Sequence, residues 1–374
     1  MDLSIISTYR CNSHCSMCNI WKSPTLPSEE ISLAVLEKIP GGFDNLNITG
    51  GEPTLREDLM DIVDILHPKA RKLEISTNGL NPQKLEPIIK KFPDIKIRFS
   101  LDGQGITSDK IRGERDGYNR KVPGLLRLKE LGGKDLGLAI TIQDDNAGDL
   151  VELFQFCQKH HLELATSALH NGFQFHKSDN IPYDRLKIAR NIENLITAQL
   201  QTWNIKNWFR AYLNLGLIAR VLGQDRLIPC TAAVDFLFID PWSDVYACNV
   251  RPDLRIGNLI DQTWEEITTG ELMKEIHQKV SDCTQNCWMV GSARTAMRNP
   301  HFTRLPKLSP LFWVLLNRFK VGIGLPIQFE KTIDYTHIYK DFNIVRRESY
   351  LNTRIKPVIE YKDQPHYQDK YENR

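Results

Sequence analysis

The sequence has 374 residues, 41% of them hydrophobic and 25% charged, with 48 Lys and Arg against 46 Asp and Glu. That length builds one large domain with an appendage, or two modest domains, without help from disulfides, and the near-balanced charge offers none of the basic excess that marks a nucleic-acid binder. No apolar run approaches the roughly 18 residues of a membrane span, and the stretch before Cys11, which carries Asp2, lacks the basic-then-apolar order of an export signal. A cytoplasmic protein with no nucleic-acid partner is therefore expected.

From the N-terminus, strand and helix signals alternate. Strands are expected at 3–8, 45–49, 72–77, 95–101, 136–142 and 163–168, with helices near 29–39, 57–67, 82–92, 122–131 and 147–160. In the last of these, apolar residues at 150, 151, 153, 154 and 157 keep the helical period, so Cys157 reads as a small buried hydrophobe. Ser28 ahead of Glu30, and Pro82 near the start of its segment, are helix-entry signals. Repeated strand–helix units imply a parallel sheet, and periodicity fits a partial barrel and an open sheet equally. Residues 184–222 read as one longer helical stretch in which Trp203 and Trp208 are core candidates.

The pattern changes past a boundary near 225. Phe236–Ile239 and Val245–Cys248 flank a turn-like Pro241–Asp244 and predict a short hairpin, and 263–279 reads as helix. Between Trp288 and Phe329 there is no Asp or Glu, but Arg294, Arg298, Arg304, Lys307, Arg318 and Lys320 surround the apolar run Leu311–Leu316. Two readings stand. The favoured one is a helix that docks on the body by its apolar face. The other is a helix in contact with an anionic surface, peripheral at the inner membrane. The tail beyond about 360 is polar and is expected to fray.

Eight cysteines fall into a triplet (Cys11, Cys15, Cys18), a distant quartet (Cys230, Cys248, Cys283, Cys287) and Cys157. With no export signal, such groups read as metal ligands before disulfides. Three thiolates on a loop at the end of a strand suit three irons of one cubane and leave one iron open, as chemistry at a metal requires. A zinc site would need a fourth ligand, such as His14, at a spacing that leaves little room for a tetrahedron.

Cys11-Asn-Ser-His-Cys-Ser-Met-Cys18 after the first strand, followed by Gly50-Gly-Glu-Pro53 after the second, resembles the radical S-adenosylmethionine (SAM) superfamily. The resemblance covers roughly residues 1–290. It implies an α/β fold with a partial (β/α)6 TIM-like barrel over 1–224, and a catalytic 4Fe-4S cluster on Cys11, Cys15 and Cys18 that binds SAM. Gly50, Gly51, Glu52 and Pro53 would grip the methionine amino group: glycines permit close backbone approach, and Glu52 offers a carboxylate to an amine. Ser76 and Asn78 after the third strand, and Ser100 and Asp102 after the fourth, would meet the ribose or carboxylate of SAM, or the substrate. The plain alternative for both pairs is turn chemistry. Met17 stands where the family often has an aromatic near adenine. Together with Gly257-Asn-Leu259 and Cys287-Trp288, the quartet resembles SPASM/twitch extensions. It implies a small iron–sulfur domain over 225–292 holding one auxiliary 4Fe-4S cluster, with a basic, apolar extension over 293–374. Ser243 replaces a glycine usual there. A structural zinc site of four cysteines is the alternative.

The implied activity is reductive cleavage of SAM to a 5′-deoxyadenosyl radical, which abstracts hydrogen from a substrate carbon. An electron donor such as flavodoxin or ferredoxin is implied as partner. The first substrate expectation is a carbohydrate, aminocyclitol or lipid-linked small molecule. The second is a ribosomal peptide, although only ten residues precede Cys11 and peptide maturases often carry a recognition domain there. The third is a non-enzymatic metal-binding protein. His170, Asn171 and His176, after the sixth strand, are the candidate substrate contacts because that strand end should face the cleft.

Overall fold

A computed structural model describes residues 1–298 and 309–336. Arg304, Lys307 and the polar tail beyond about 360 lie outside the described residues. Six parallel strands form in chain order: β1 (Asp2–Ile6), β2 (Asn45–Thr49), β3 (Leu73–Thr77), β4 (Lys96–Ser100), β5 (Asp135–Ile142) and β6 (Glu163–Ala168). In runs such as Leu-Glu-Ile and Leu-Ala-Ile-Thr-Ile the Leu and Ile side chains are buried and alternate with half-buried positions. The crossover helices are α1 (Leu33–Glu37), α2 (Leu59–Leu66), α3 (Glu86–Lys91), α4 (Ile106–Arg112), α5 (Gly117–Glu130) and α6 (Leu150–Lys159). Leu46, Ile48, Ile75, Ile97 and Phe99 are fully buried against them, as is Cys157.

The sheet does not stop at β1. β7 (Phe236–Ile239) pairs in parallel with β1, from Asp2 opposite Phe236 to Ile5 opposite Ile239. β8 (Asp244–Tyr246) and β9 (Arg255–Asn258) then add antiparallel, giving the order β6-β5-β4-β3-β2-β1-β7-β8-β9. The chain segment past residue 225 thus extends the sheet of the first. Arg294, on α11 (Val290–Arg298), donates to Asp2 Oδ2 at 2.6 Å and holds that helix over the β1 edge.

Several elements differ from the sequence expectation. α4 was hidden because seven mostly polar residues show no apolar period. α5 starts at Gly117 and runs through Pro123, which reads in sequence as a start signal. The stretch 184–222 is two helices, α7 (Arg185–Gln201) and α8 (Ile205–Val221). Thr202 Oγ1 donates to Gln199 O, and Asn204 caps the next helix by accepting from Lys206 N at 2.9 Å. Trp203 sits in that break and is 86% exposed, so it is not a core residue, whereas Trp208 is half-buried and packs. The helix expected at 263–279 divides at Gly270 into α9 (Trp264–Thr269) and α10 (Glu271–Ser281). The basic apolar run forms α12 (Pro310–Gly322), which packs on α7 and α8 with Trp313 edge-on to Tyr212. Among the described residues no helix is long and apolar enough to cross a membrane.

Candidate active site

β1 delivers the chain into the loop bearing Cys11, Cys15 and Cys18, at the edge where all six parallel strands end. Barrel enzymes gather their chemistry at that edge. The three thiols, all free and partly exposed, line one cavity with Met17, Gly50, Gly51, Ser76, Asn78 and Ser100. Burial pushes the Cys11 thiol up to about 12 and raises those of Cys15 and Cys18 as well. Thiols so placed hold their protons unless a cation takes the proton's place, which is what a metal ligand set requires.

Glycine is needed at position 51 for packing. A Cβ there would lie 2.2 Å from Arg10 O, and one at Gly50 would lie 2.5 Å from Thr8 O. The bare backbone lets Gly51 N donate to Thr8 O at 2.7 Å and Glu52 N donate to Arg10 O at 2.8 Å. These bonds zip the Gly-Gly-Glu-Pro stretch onto the segment entering the cysteine loop. Glu52 is fully buried and its carboxylate is turned into the wall. Oε1 accepts from Thr54 N, Thr54 Oγ1 and Thr77 Oγ1, and Oε2 accepts from Asn78 N at 2.6 Å. Glu52 therefore ties the end of β2 to that of β3, while the backbone of Gly50 and Gly51 faces the cavity. Pro53 opens a buried single turn behind them.

Asn78 Nδ2 donates to Asn12 Oδ1 at 2.6 Å and Ser76 Oγ to Asn47 Oδ1 at 3.1 Å. Asp102 stands behind the lining: Arg112 Nη1 donates to its Oδ2 at 2.6 Å, and Thr141 N to its Oδ1 at 2.6 Å. It orients Arg112, which does line the cavity, as do Thr141, Trp21 and Phe175. Sequence reasoning missed Arg112; a basic residue ten positions past Asp102 is a signal that only the α4 turn explains.

The loop after β6 wraps the cysteine loop. Phe175 O accepts from Asn19 N at 2.9 Å, and Asn180 Nδ2 donates to Met17 O at 3.0 Å. Asn171 Oδ1 accepts from Asn180 N at 2.8 Å, so Asn171 shapes this loop. His176 is buried edge-on to Tyr9, 4.6 Å between ring centres. Of the three expected substrate contacts, His170 is the one that lines the cavity. Its Nδ1 lies 2.8 Å from Ala168 O, which can only accept, so Nδ1 carries the proton and Nε2 offers a lone pair. That Nε2 is buried and has no hydrogen-bond partner among the described residues. Burial pushes the imidazole down to about 4, which keeps it neutral.

The quartet cysteines also lie near enough to influence one another. Burial raises the Cys248 thiol, and its neighbours Cys287 and Cys230 raise it further. Burial likewise raises Cys287, with Cys230 and Cys283 beside it. Val250 N donates to Cys248 Sγ at 3.2 Å. Trp288 Nε1 donates to Leu213 O at 2.8 Å, with its ring over Gly216, and so fixes the segment carrying Cys287. The two thiol groups share one apolar block: Tyr9, Phe173, Phe238 and Tyr246 pack with Cys11 and Cys18 on one side and with Cys248 and Cys287 on the other. Four thiols near enough to raise one another, and three lining one cavity, are donor sets of the kind that a saturated and an unsaturated iron–sulfur cluster would use.

Two stretches of the chain match known families. Residues 5–157 match the radical SAM superfamily, and residues 230–288 match the SPASM iron–sulfur cluster-binding domain. The chain carries a radical SAM enzyme domain followed by a SPASM domain. The first binds a 4Fe-4S cluster and SAM, and the second binds an auxiliary iron–sulfur cluster. Over 158 residues the chain is 30% identical to Fe-coproporphyrin III synthase of Methanosarcina barkeri, covering 41% of this chain and 39% of that protein. It is 25% identical over 155 residues to the sporulation killing factor maturation protein SkfB of Bacillus subtilis, covering 40% of this chain and 38% of the relative. The chain thus spans well under half the length of these two relatives. Among solved structures it resembles native anSMEcpe with bound AdoMet and a Cp18Cys peptide, with a TM-score of 0.59 and 14% identity over 87% of this chain and 99% of that one. That likeness establishes the fold.

Proposed function

We propose that this protein is a radical SAM oxidoreductase that removes hydrogen from a carbon of a peptide substrate held at the cavity beside Cys11, Cys15 and Cys18. The observation that carries the reading is one cavity lined by three thiols, two glycine backbones and the unpartnered His170 Nε2. With a reduced cluster and SAM bound, such a site supplies one-electron hydrogen abstraction from an unactivated carbon. The chain's own residues do the rest. Arg112, held by Asp102 and Glu114, brings a positive charge to the cavity wall that favours a carboxylate there. The 170–180 loop packs along the cysteine loop and forms one wall of the site. His170 Nε2 accepts a hydrogen bond, or the proton released when the substrate radical gives up its remaining electron, for which an auxiliary cluster on the cysteine quartet would be the acceptor. One-electron reduction from outside, by a flavodoxin- or ferredoxin-type donor, completes the requirement.

The peptide is favoured over the carbohydrate or lipid-linked expectation by two likenesses, a maturation protein among the relatives and a peptide-bound structure of the same fold. A lipid-linked small molecule is the second reading, favoured by the exposed apolar face of α12. The test is a SAM-cleavage assay with reconstituted protein and dithionite, using a synthetic peptide encoded by a short reading frame beside the gene. Rising 5′-deoxyadenosine together with loss of hydrogens from the peptide by mass spectrometry supports the proposal. Turnover with polyprenyl-linked sugars, and none with such peptides, overturns it in favour of the second reading.

A further inference from the structure

Among the described residues, α12 is docked by one side only. Pro310, Val314 and Asn317 are buried against the body, while Leu311, Phe312, Leu315, Leu316 and Phe319 are exposed, Phe319 to 65%. At roughly 100° per residue, these five side chains fall within an arc of about 140°, and the three buried residues fall on the opposite side. On the same wheel Arg318 lies just beyond one edge of the apolar arc and Lys320 just beyond the other. Arg318 also stacks over Trp203, 4.7 Å from its ring centre, so the most exposed tryptophan adjoins the patch. Neither α12 nor the rest of the sequence from Trp288 to Phe329 contains a carboxylate.

We infer that this face docks on a membrane surface bearing anionic headgroups. The charge pattern selects that occupant. An apolar stripe edged by cations, with a tryptophan at its margin, matches a layer whose apolar interior lies beneath phosphates. Lys320 can reach outward to those phosphates while its stem stays against the apolar surface, and Arg318, stacked on Trp203, adds its charge at the opposite edge. Two copies of the face would bring Arg318 and Lys320 of each together with no carboxylate on either helix to pair with them. An exposed contiguous stripe of this kind also exceeds the scattered apolar residues ordinary on a protein surface. The inference stands apart from the identity of the substrate.

The experiment is co-sedimentation of the full chain with vesicles of phosphatidylcholine alone, or mixed with phosphatidylglycerol, at low and high salt. Binding to the anionic vesicles is expected to exceed binding to the neutral ones by on the order of tenfold, and to weaken as salt rises. The double substitution Leu315→Glu and Phe319→Glu should abolish it. Both side chains are exposed, so the fold, checked by circular dichroism, should be kept. Tryptophan emission should shift to the blue on anionic vesicles, and Trp203→Phe should reduce that shift. A full chain that stays in the supernatant with anionic vesicles overturns the inference. So does a concentration-dependent dimer in the ultracentrifuge that the double substitution dissolves, which would assign the face to a second copy.

Discussion

Ser13 Oγ donates to Glu114 Oε1 at 2.6 Å, tying the cysteine loop to a residue 101 positions away. Glu114 also pairs with Arg112 at 3.4 Å and with the fully buried Lys121. Two further bonds run alongside, from His14 N to Arg112 O and from Ser16 N to Ile111 O. The loop that presents the three thiols is thus braced by the end of α4. Burial, and next the Arg112 charge, push Lys121 down to about 8, and Glu114, together with Asp102, offsets the two buried cations. Removing one partner of a buried charge set costs about 3–5 kcal/mol. Glu114→Ala should lower the melting temperature and speed the loss of iron on desalting. Glu114→Gln, which keeps the acceptor for Ser13, should lose less. Unchanged melting and iron retention in Glu114→Ala would show the brace to be idle.

Gly51→Ala tests the close approach at the cavity wall. The new methyl would meet Arg10 O at 2.2 Å and Arg10 C at 2.7 Å, both backbone atoms with no rotamer to yield. The segment entering Cys11 or the stretch carrying Glu52 must move. The expected result is weaker SAM binding by calorimetry and a loss of stability of about 1–3 kcal/mol, the usual range for overpacking. SAM affinity equal to that of the wild type would mean the two backbones can part without consequence.

The six parallel strands and both thiol groups were legible in the sequence, because β-branched runs, turn residues and cysteine spacing are local signals. What was hidden depends on partners far along the chain. That Glu52 is consumed by Thr54, Thr77 and Asn78, and Asp102 by Arg112 and Thr141, follows only once neighbouring strand ends meet. The junction of β7 with β1 was equally invisible, since nothing in Phe236–Ile239 names its partner. Ser243 shows a signal half-read. It stands where the related motif has glycine, and its φ of 70 lies in the left-handed region that glycine favours. The turn survives because Asp240 Oδ1 accepts from both Trp242 N and Asp244 N.

Iron counting separates the two thiol groups from the eighth cysteine. Reconstituted wild type should bind about eight irons per chain, at four per cubane, and the Cys11/Cys15/Cys18→Ala variant about four. Replacing Cys248 and Cys287 should likewise leave about four. Cys157, on α6, is buried in the main core with its sulfur 3.7 Å from Glu163 O. Cys157→Ala should therefore leave the iron count unchanged and cost only packing. Zinc in place of iron in either group would contradict the assignment.

The neutrality of His170 gives a pH signature. In the fold burial holds its imidazole at about 4, while in the unfolded chain it titrates near 6.5. Between those values the unfolded chain binds the extra proton, so stability from this site is complete above about 6.5 and is lost as pH falls toward 4. His176, pushed by burial to about 4, acts in the same direction. Asp240 acts in the opposite one: burial, and next Asp244, raise it to about 8, so it favours the fold at low pH. The total curve therefore mixes signs, and the informative quantity is the difference between variant and wild type. His170→Gln should flatten the acid-side fall in melting temperature between pH 6.5 and 4, and should change little above pH 7 beyond a constant offset. In the assembled enzyme the same variant should retain SAM affinity but form product more slowly, because its amide is a far weaker base than the Nε2 it replaces. An acid-side slope identical to the wild type would mean His170 is not held neutral. Wild-type product formation would remove it from the chemistry.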